Sequence, residues 1–230
     1  MKTAGIIYHV LNRGVDKRKI FMEERDYVRF VHNLYIFNDK EPVSDTLYTL
    51  KNSMDIGRPY MREHRERKLL VDILAFVLMP NHYHLLLMPH SDMALPLFMK
   101  KLNMGYAKYF NEKYERGGAL FQGRYKAIPI LRDAHFIHIP YYIHLNPLDL
   151  SFPEWRERRL RNHKKAWEFL ASYRWSSHLD YTGRKNFPSI TNRKLLNEYF
   201  GGPKSYEKEI FDWLQEFDNT DKDLKLLLLE

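Results

Sequence analysis

Two apolar segments separated by a two-residue turn place the strongest limit on the fold of this chain. "LLVDILAFVLM" (69–79) and "HYHLLLMP" (82–89) flank Pro80 and Asn81, and a proline–asparagine pair favours a tight turn. Short, nearly continuous apolar runs bounded by turn residues are typical of buried strands. The two segments therefore predict a buried antiparallel hairpin.

The segments on either side of the hairpin complete a pattern of strands and helices. Hydrophobic spacing predicts a strand at 5–12, a helix at 23–37, a helix at about 92–114, a strand within 117–131 and a helix at 132–147. Together with the hairpin, the first six elements follow the order β-α-β-β-α-β. This order predicts an α+β fold, a ferredoxin-like antiparallel sheet with its helices on one face.

The chain divides into a core and an appendage. Residues 1–147 contain the predicted core, within which the polar segment 38–68, with two prolines and a glycine, is predicted to be an irregular insertion. Residues 148–230 are first polar and then helical in pattern, so we expect a mostly helical C-terminal appendage packed on the core. Within it, "YRWSSHLDYTGR" (173–184) is predicted to be an ordered loop.

Composition narrows the classes of function. The 37 basic and 29 acidic residues leave a net charge of +8, which favours a polyanionic partner. The chain has no cysteine, which excludes disulfides and thiolate metal sites. No apolar segment reaches the length that spans a bilayer, and the N-terminus has no long apolar run, so we expect a cytoplasmic location.

Two histidines interrupt the second apolar segment. Side chains alternate along a strand, so His82 and His84 share one face while Tyr83 points to the other. Two neutral imidazoles on one face can bind one metal ion. Without thiolates, the other ligands would be nitrogen or oxygen atoms, which suits Mg²⁺ or Mn²⁺ sharing phosphate oxygens, or Zn²⁺ with a third protein ligand. Ordinary histidines at the end of a strand are the competing interpretation.

A tyrosine and an asparagine share a helix face in "PYYIHLNP" (140–147). Tyr142 and Asn146 are four residues apart, whereas Tyr141 points about 100° away. Tyrosine is a weak nucleophile at its ordinary pKa of about 10, but a phosphate polarised by a metal ion needs no stronger one. The Asn146 carbonyl oxygen would suit the same ion. On pattern alone, a core tyrosine and an asparagine that ends the helix before Pro147 are favoured.

At these residues the sequence resembles a known family. "LMPNHYHLLL" resembles the histidine–hydrophobic–histidine (HUH) motif of single-strand DNA transposases with one catalytic tyrosine, and "YYIHLNP" resembles the tyrosine helix of one branch, the REP-associated tyrosine transposases. Three further blocks are similar to that branch in the same order: "YHVLNRGVDKRKIF", "YFNEKYERGGALFQGRYKA" and "YRWSSHLDY". The resemblance extends over about residues 5–182.

The resemblance implies a function for each of these side chains. His82 and His84 would bind a divalent ion, Mg²⁺ or Mn²⁺, with Asn146 as the third ligand. Tyr142 would attack a phosphate in single-stranded or hairpin DNA, which gives a 5′-phosphotyrosine link and a free 3′-OH, and a 3′-OH would later rejoin the strands. Tyr141 stays the competing nucleophile, because Pro140 lies two residues before Tyr142 and interrupts the helix on which the shared-face argument depends. Relatives occur as monomers and as dimers, so both states are open.

Six basic side chains are expected to contact DNA phosphates. They lie in the loop after the first strand, on the second helix and at the start of the fourth strand: Arg13, Lys17, Arg18, Lys101, Arg124 and Lys126. Arg13 and Arg124 stand within the blocks that resemble the family. For each of the six, a solvated surface charge is the competing interpretation.

Three functions are consistent with the sequence. The first is a metal-dependent DNA strand transferase with a tyrosine nucleophile, and the second is a hairpin-binding protein that keeps the fold but does not cut. The third is a zinc hydrolase, which is disfavoured because "PNHYHLLL" contains no glutamate to act as a base. The presence of Tyr142 together with both histidines and Asn146 favours the first.

Overall fold

The computed structural model describes residues 5–41, 67–157 and 159–216. The strands of its sheet are β1 (Ile7–Arg13), β2 (Val71–Met79), β3 (His82–Pro89) and β4 (Lys126–Ile130). Their spatial order is β2-β3-β1-β4, and each neighbouring pair is antiparallel. With α1 (Glu24–Ile36) after β1 and α2 (Ala94–Lys113) after β3, the ferredoxin-like α+β prediction is confirmed.

The positions of the hairpin and of β4 in the sheet agree with the residues of these strands. β2 and β3 form the expected hairpin, in which Met79 pairs with His82 across the turn. β4 is an edge strand that pairs only with β1 among the named strands, so the missing N–H of Pro129 leaves no gap inside the sheet. The order places β3 and β1, which carry the histidine-containing segments, at the centre.

The sheet is covered on both faces. Tyr83, Leu85 and Leu87 of β3 pack in one core with α1 and α2. Leu86 points to the other face and packs with α3 (Asp133–Leu145) and with helices from the C-terminal region. α3 is continuous through Pro140.

The C-terminal region covers the second face and one edge of the sheet. It contains 3₁₀ turns at Asn146–Leu150 and Pro153–Glu157, and the helices α4 (His163–Ser172), α5 (His178–Tyr181), α6 (Lys194–Phe200) and α7 (Pro203–Glu216). The segment predicted as a loop contains α5 and also pairs with β2: the Leu78 N–H donates to the Trp175 carbonyl (2.9 Å), and the Ser177 N–H donates to the Phe76 carbonyl (3.0 Å). These bonds protect the outer edge of β2.

Two predicted segments lie wholly or partly outside the described residues. Most of the insertion predicted at 38–68 falls on 42–66, and the end of the appendage falls on 217–230. At the described start of the insertion, Asn38 holds the start of β2, because its Oδ1 accepts the N–H groups of Leu70 (3.1 Å) and Val71 (2.9 Å). Among the described helices, none is long and apolar enough to cross a membrane.

The buried carboxylate of Asp26 links α1 to α2 through hydrogen bonds. Asp26 accepts hydrogen bonds from Lys113 Nζ (2.5 Å), the Tyr114 hydroxyl (2.7 Å) and the Met22 N–H (2.8 Å). Burial alone would raise the pKa of Asp26, but these bonds and a further one from the Glu23 N–H lower it below its ordinary value. The carboxylate is therefore ionised and paired in the folded chain.

We predict that Asp26→Asn destabilises the fold at neutral pH and weakens its sensitivity to acid. The pKa of Asp26 is lower in the folded than in the unfolded chain, so its contribution to stability is complete above the unfolded pKa and is lost as pH falls through the folded pKa. Urea unfolding at pH 7 should give a free energy about 1–3 kcal/mol lower for the variant. Towards pH 3 the difference should shrink.

Glu112→Gln, at an exposed position on α2, is the matched control for this experiment. It should leave the free energy of unfolding nearly unchanged at both pH values. A difference between wild type and Asp26→Asn that stays the same at pH 7 and pH 3 would contradict the prediction.

Candidate active site

The two histidines of β3 lie on the sheet face that α3 covers. Alternation places His82 and His84 on the side opposite Tyr83, and both are buried. Their ring centroids are 5.0 Å apart and the rings are nearly perpendicular. The pair lies at the end of β3 next to the hairpin turn, which brings the loop after β1 close to it, since the Gly14 N–H donates to the Asn81 carbonyl (2.8 Å).

Asn81 determines which nitrogen of His82 carries the proton. The Asn81 amide donates to the Lys17 carbonyl (3.2 Å), which orients its carbonyl oxygen towards His82 Nδ1 at 2.6 Å. A carbonyl oxygen only accepts hydrogen bonds, so His82 Nδ1 donates. The lone pair of His82 is then on Nε2, which is the buried nitrogen.

A third histidine, His9 of β1, completes the cluster. It lies opposite Leu86 in the register of β1 and β3 and so points to the same face as His82 and His84. His9 Nε2 lies 2.9 Å from His84 Nδ1, and the two rings stack with centroids 5.1 Å apart. His9 was not predicted to belong to the site, although it stands in the family-like block "YHVLNRG", because alternation along β1 does not reveal the register with β3.

Tyr142 of α3 lies against these histidines of its own chain. Its ring centroid is 5.6 Å from that of His84 and 6.1 Å from that of His9, with the rings edge to face in both pairs. One turn later Asn146 ends α3, where its N–H donates to the Tyr142 carbonyl, and its side chain is buried. The structure thus brings Tyr142 to the histidine cluster and places Asn146 one helical turn away.

Tyr141 points in a different direction. Its hydroxyl donates to Glu209 Oε2 of α7 (2.9 Å), and its ring packs against Phe200 and Trp213. Burial, and then the bond to the Glu209 carboxylate, raise the pKa of this phenol above its ordinary value. Tyr141 therefore belongs to the packing between α3 and the C-terminal helices.

An arginine that the sequence did not single out lies beside Tyr142. Arg156 Nη2 is 3.5 Å from the Tyr142 hydroxyl oxygen, and the guanidinium carbon is 5.2 Å from the centre of the ring. Asp149 holds the guanidinium at Nε (2.7 Å) and Nη2 (2.5 Å). Arg156 is one of several arginines in "RERRLR", and no feature of the pattern distinguishes it from the others.

Two of the side chains predicted to contact DNA lie on the sheet face that carries His82 and His84, called the histidine face below. Arg13 lies directly opposite His82 in the sheet. Lys126 lies opposite Leu11, which in turn lies opposite His84. Because directly opposite residues point to the same face, Arg13 and Lys126 flank the histidine pair.

The other predicted contacts divide into two groups. Lys17, Arg18 and Arg124 are exposed in loops that meet at the end of β1, where the Val15 N–H donates to the Leu120 carbonyl (3.0 Å). Lys101 is instead on α2, on the other face of the sheet, where its Nζ donates to the Asp39 carbonyl (2.6 Å). Burial lowers the pKa of Lys101. The structure does not bring Lys101 to the histidine pair.

The side-chain donors of His82, His84 and Asn146 fit a divalent ion that also binds a ligand from outside the protein. Within the described ranges, no group of three or more His, Cys, Asp or Glu residues is arranged to hold a metal ion. His82, His84 and Asn146 offer two imidazoles and one amide oxygen, which leaves half of the positions of a six-coordinate ion to water and phosphate oxygens. These residues therefore fit an ion that is shared with a bound ligand rather than a closed structural site.

Comparisons with known proteins find a family model and a solved structure to which this chain is similar. The family model described as "Transposase IS200 like" matches residues 57–146, a range that includes both histidines of β3, Tyr142 and Asn146. Among solved structures, a REP-associated tyrosine transposase bound to a REP hairpin is similar, with 13% identity, a TM-score of 0.48, and coverage of 83% of this chain and 86% of that one. No curated protein matches the chain.

We predict that His82 is the Nδ1–H tautomer in the metal-free protein. Long-range nitrogen-15 NMR of the imidazole rings, at a pH where the ring is neutral, should show a protonated Nδ1. Asn81→Ala should remove this preference, because no carbonyl oxygen then accepts from Nδ1. His90, whose Nε2 contacts Asp72 Oδ2 (2.9 Å), is the internal reference and should not change. An Nε2–H tautomer of His82 in the wild type would contradict the assignment.

Proposed function

We propose that the chain is a DNA strand transferase that cuts and rejoins single-stranded DNA near hairpins, because residues 57–146 match the model of the IS200-like transposase family. Tyr142 is the nucleophile, and cleavage leaves a 5′-phosphotyrosine link and a free 3′-OH. The observation that carries the proposal is the position of Tyr142, whose ring centroid is 5.6 Å from that of His84 of the same chain.

The bond changes at the phosphate need no external energy source. The Tyr142 oxygen forms a bond to phosphorus while the bond between phosphorus and the 3′ oxygen breaks. The phenol loses its proton to solvent, and the departing oxygen takes one up. A 3′-OH that attacks the phosphotyrosine reverses the exchange and joins two strands. Each step replaces one phosphodiester by another, so the overall chemistry is close to energetically neutral.

His82, His84 and Asn146 are proposed to hold a divalent ion, Mg²⁺ or Mn²⁺. The Nε2 atoms of both histidines and the Oδ1 of Asn146 are buried, as ligand atoms beneath a bound DNA strand would be. When bound, such an ion withdraws charge from the phosphate and makes phosphorus a better electrophile. Asn81 and His9 orient the two rings by engaging their Nδ1 atoms, as hydrogen-bond partners of metal ligands do.

The DNA is proposed to cross the histidine face where β1 ends and β3 begins. Arg13 and Lys126 share that face, and the exposed Lys17, Arg18 and Arg124 lie at its border. Cations in these positions bind phosphates and position the strand without reading its sequence. Because Tyr142 faces histidines of its own chain, the proposed site is complete within one protomer, whether the protein is a monomer or a homodimer.

One observation favours the alternative, a hairpin-binding protein that does not cut. Tyr142 is only 1% exposed, so a phosphate reaches its hydroxyl only when neighbouring groups move. In such a protein the tyrosine would be a core residue, and the basic side chains alone would bind DNA. The two functions differ in whether a covalent adduct forms.

We predict that labelled single-stranded hairpin DNA and Mn²⁺ give a protein–DNA adduct that survives denaturation. Tyr142→Phe should abolish the adduct, because no phenol oxygen remains to bond to phosphorus. Tyr141→Phe is the matched control and should keep it, since the Tyr141 hydroxyl bonds to Glu209 instead. The readout is the labelled band on a denaturing gel.

The opposite pattern would overturn this assignment. An adduct that persists in Tyr142→Phe and vanishes in Tyr141→Phe would assign the nucleophile to the neighbouring residue. If the wild type forms no adduct but binds the hairpin tightly with a steep salt dependence, the protein is the binding protein described above.

We predict that His84→Gln weakens Mn²⁺ binding by at least about tenfold in titration calorimetry. The reason is that the variant loses one imidazole ligand, while the rest of the sheet keeps its packing. His90→Gln is the matched control, because that histidine contacts Asp72 outside the cluster. Equal Mn²⁺ affinity in His84→Gln and wild type, with both folded by circular dichroism, would rule out this ligand.

A further inference from the structure

Arg156 lies outside residues 57–146, the range that the family model matches. Neighbouring side chains hold its guanidinium in place. Its Nε and Nη2 contact the two oxygens of Asp149 at 2.7 Å and 2.5 Å. This is a bidentate pair of hydrogen bonds, which fixes the plane of the guanidinium as well as its distance from the carboxylate. Arg156 and Asp149 are each about three-quarters buried, with side-chain exposures of 26% and 23%.

A buried tryptophan orients the same pair. The Trp155 indole N–H donates to Asp149 Oδ1 (2.6 Å), and the Trp155 ring lies 5.1 Å from the guanidinium carbon of Arg156. Trp155 is itself 2% exposed. The Asp149 carboxylate thus accepts hydrogen bonds from Trp155 and Arg156. The guanidinium packs against the Trp155 ring, as arginines at phosphate sites often pack against aromatic rings.

The guanidinium is directed at the hydroxyl of the proposed nucleophile. Arg156 Nη2 lies 3.5 Å from the Tyr142 oxygen, and Tyr142 is almost fully buried. Arg156 is the more exposed of the two and contacts the hydroxyl, so a phosphate that approaches this oxygen meets the guanidinium. Asp149 balances the positive charge while no DNA is bound.

We propose that Arg156, oriented by Asp149, binds the scissile phosphate at the oxygen of Tyr142. This inference rests on the proposed function. A planar guanidinium with several N–H donors matches two oxygens of a phosphate at once. As the Tyr142 oxygen bonds to phosphorus and the bond to the 3′ oxygen breaks, the guanidinium stabilises the charge on the non-bridging oxygens. Arg156 stays protonated throughout, and the phenol proton goes to solvent.

If Arg156 has a purely structural role, a different experimental result is expected. The Arg156–Asp149 pair also joins the 3₁₀ turns Asn146–Leu150 and Pro153–Glu157, so its loss would loosen this region and lower the melting temperature. A phosphate-binding guanidinium instead changes the rate of adduct formation more than the affinity for DNA, because its contacts strengthen in the transition state.

The test compares Arg156→Ala with Arg159→Ala, a matched control at an exposed arginine that pairs with Glu157. With saturating hairpin DNA and Mn²⁺, Arg156→Ala should form the adduct about 100-fold more slowly, with little change in hairpin affinity or melting temperature. Arg159→Ala should match wild type. Added guanidinium ion, at a concentration below that which unfolds the protein, should restore part of the rate of Arg156→Ala only.

A wild-type rate in Arg156→Ala would overturn the inference and leave the proposed function intact. So would a slow rate that guanidinium does not restore and that accompanies a large fall in melting temperature, since that is the structural result. If wild type itself forms no adduct, the proposed function fails, and the inference fails with it. Arg156→Lys should be intermediate, because an ammonium keeps the charge but not the planar donors.

Discussion

The register between β1 and β3 holds Arg13 opposite His82 and Leu11 opposite His84, and the candidate site depends on this pairing. Side chains alternate with a period of two, so a shift of β3 by one residue would turn both histidines into the core of α1 and α2. The same register brings His9 within hydrogen-bond distance of His84. Pairing on both sides makes β3 a central strand, where slippage would cost two ladders of hydrogen bonds.

The C-terminal region orients the tyrosine helix above this face. His144 of α3 hydrogen-bonds to Ser177 Oγ (2.7 Å) and to the Tyr206 hydroxyl, and Ser177 Oγ also accepts the Phe76 N–H of β2 (2.9 Å). Burial lowers the pKa of His144 well below its ordinary value, so the ring is neutral at physiological pH, and one ring nitrogen donates a hydrogen bond while the other accepts one. The same rotation of α3 that directs His144 to these partners directs Tyr142 to His84.

Local pattern was sufficient to predict much of the fold but not the contacts between distant segments. Apolar periodicity and the proline–asparagine turn predicted the hairpin, and i, i+4 spacing predicted the shared helix face of Tyr142 and Asn146. The isolated β-bridge between Ser176 and Val77 of β2 was not predicted, because Val77 lies about a hundred residues earlier. His9 and Arg156 were missed for the same physical reason: each acquires its place only through tertiary packing. Lys101, predicted to be a DNA contact, lies on α2 away from the histidine pair, and its Nζ donates to the Asp39 carbonyl.

We propose that one chain supplies both the histidines and the tyrosine of a single active site. Mixing Tyr142→Phe with His84→Gln, after conditions that exchange any subunits, tests it directly. If each chain carries its own complete site, the mixture forms no hairpin adduct while wild type does, because neither variant chain has both the tyrosine and His84. Adduct formation restored by mixing would contradict the account, since it would show that the tyrosine of one chain acts with the histidines of another.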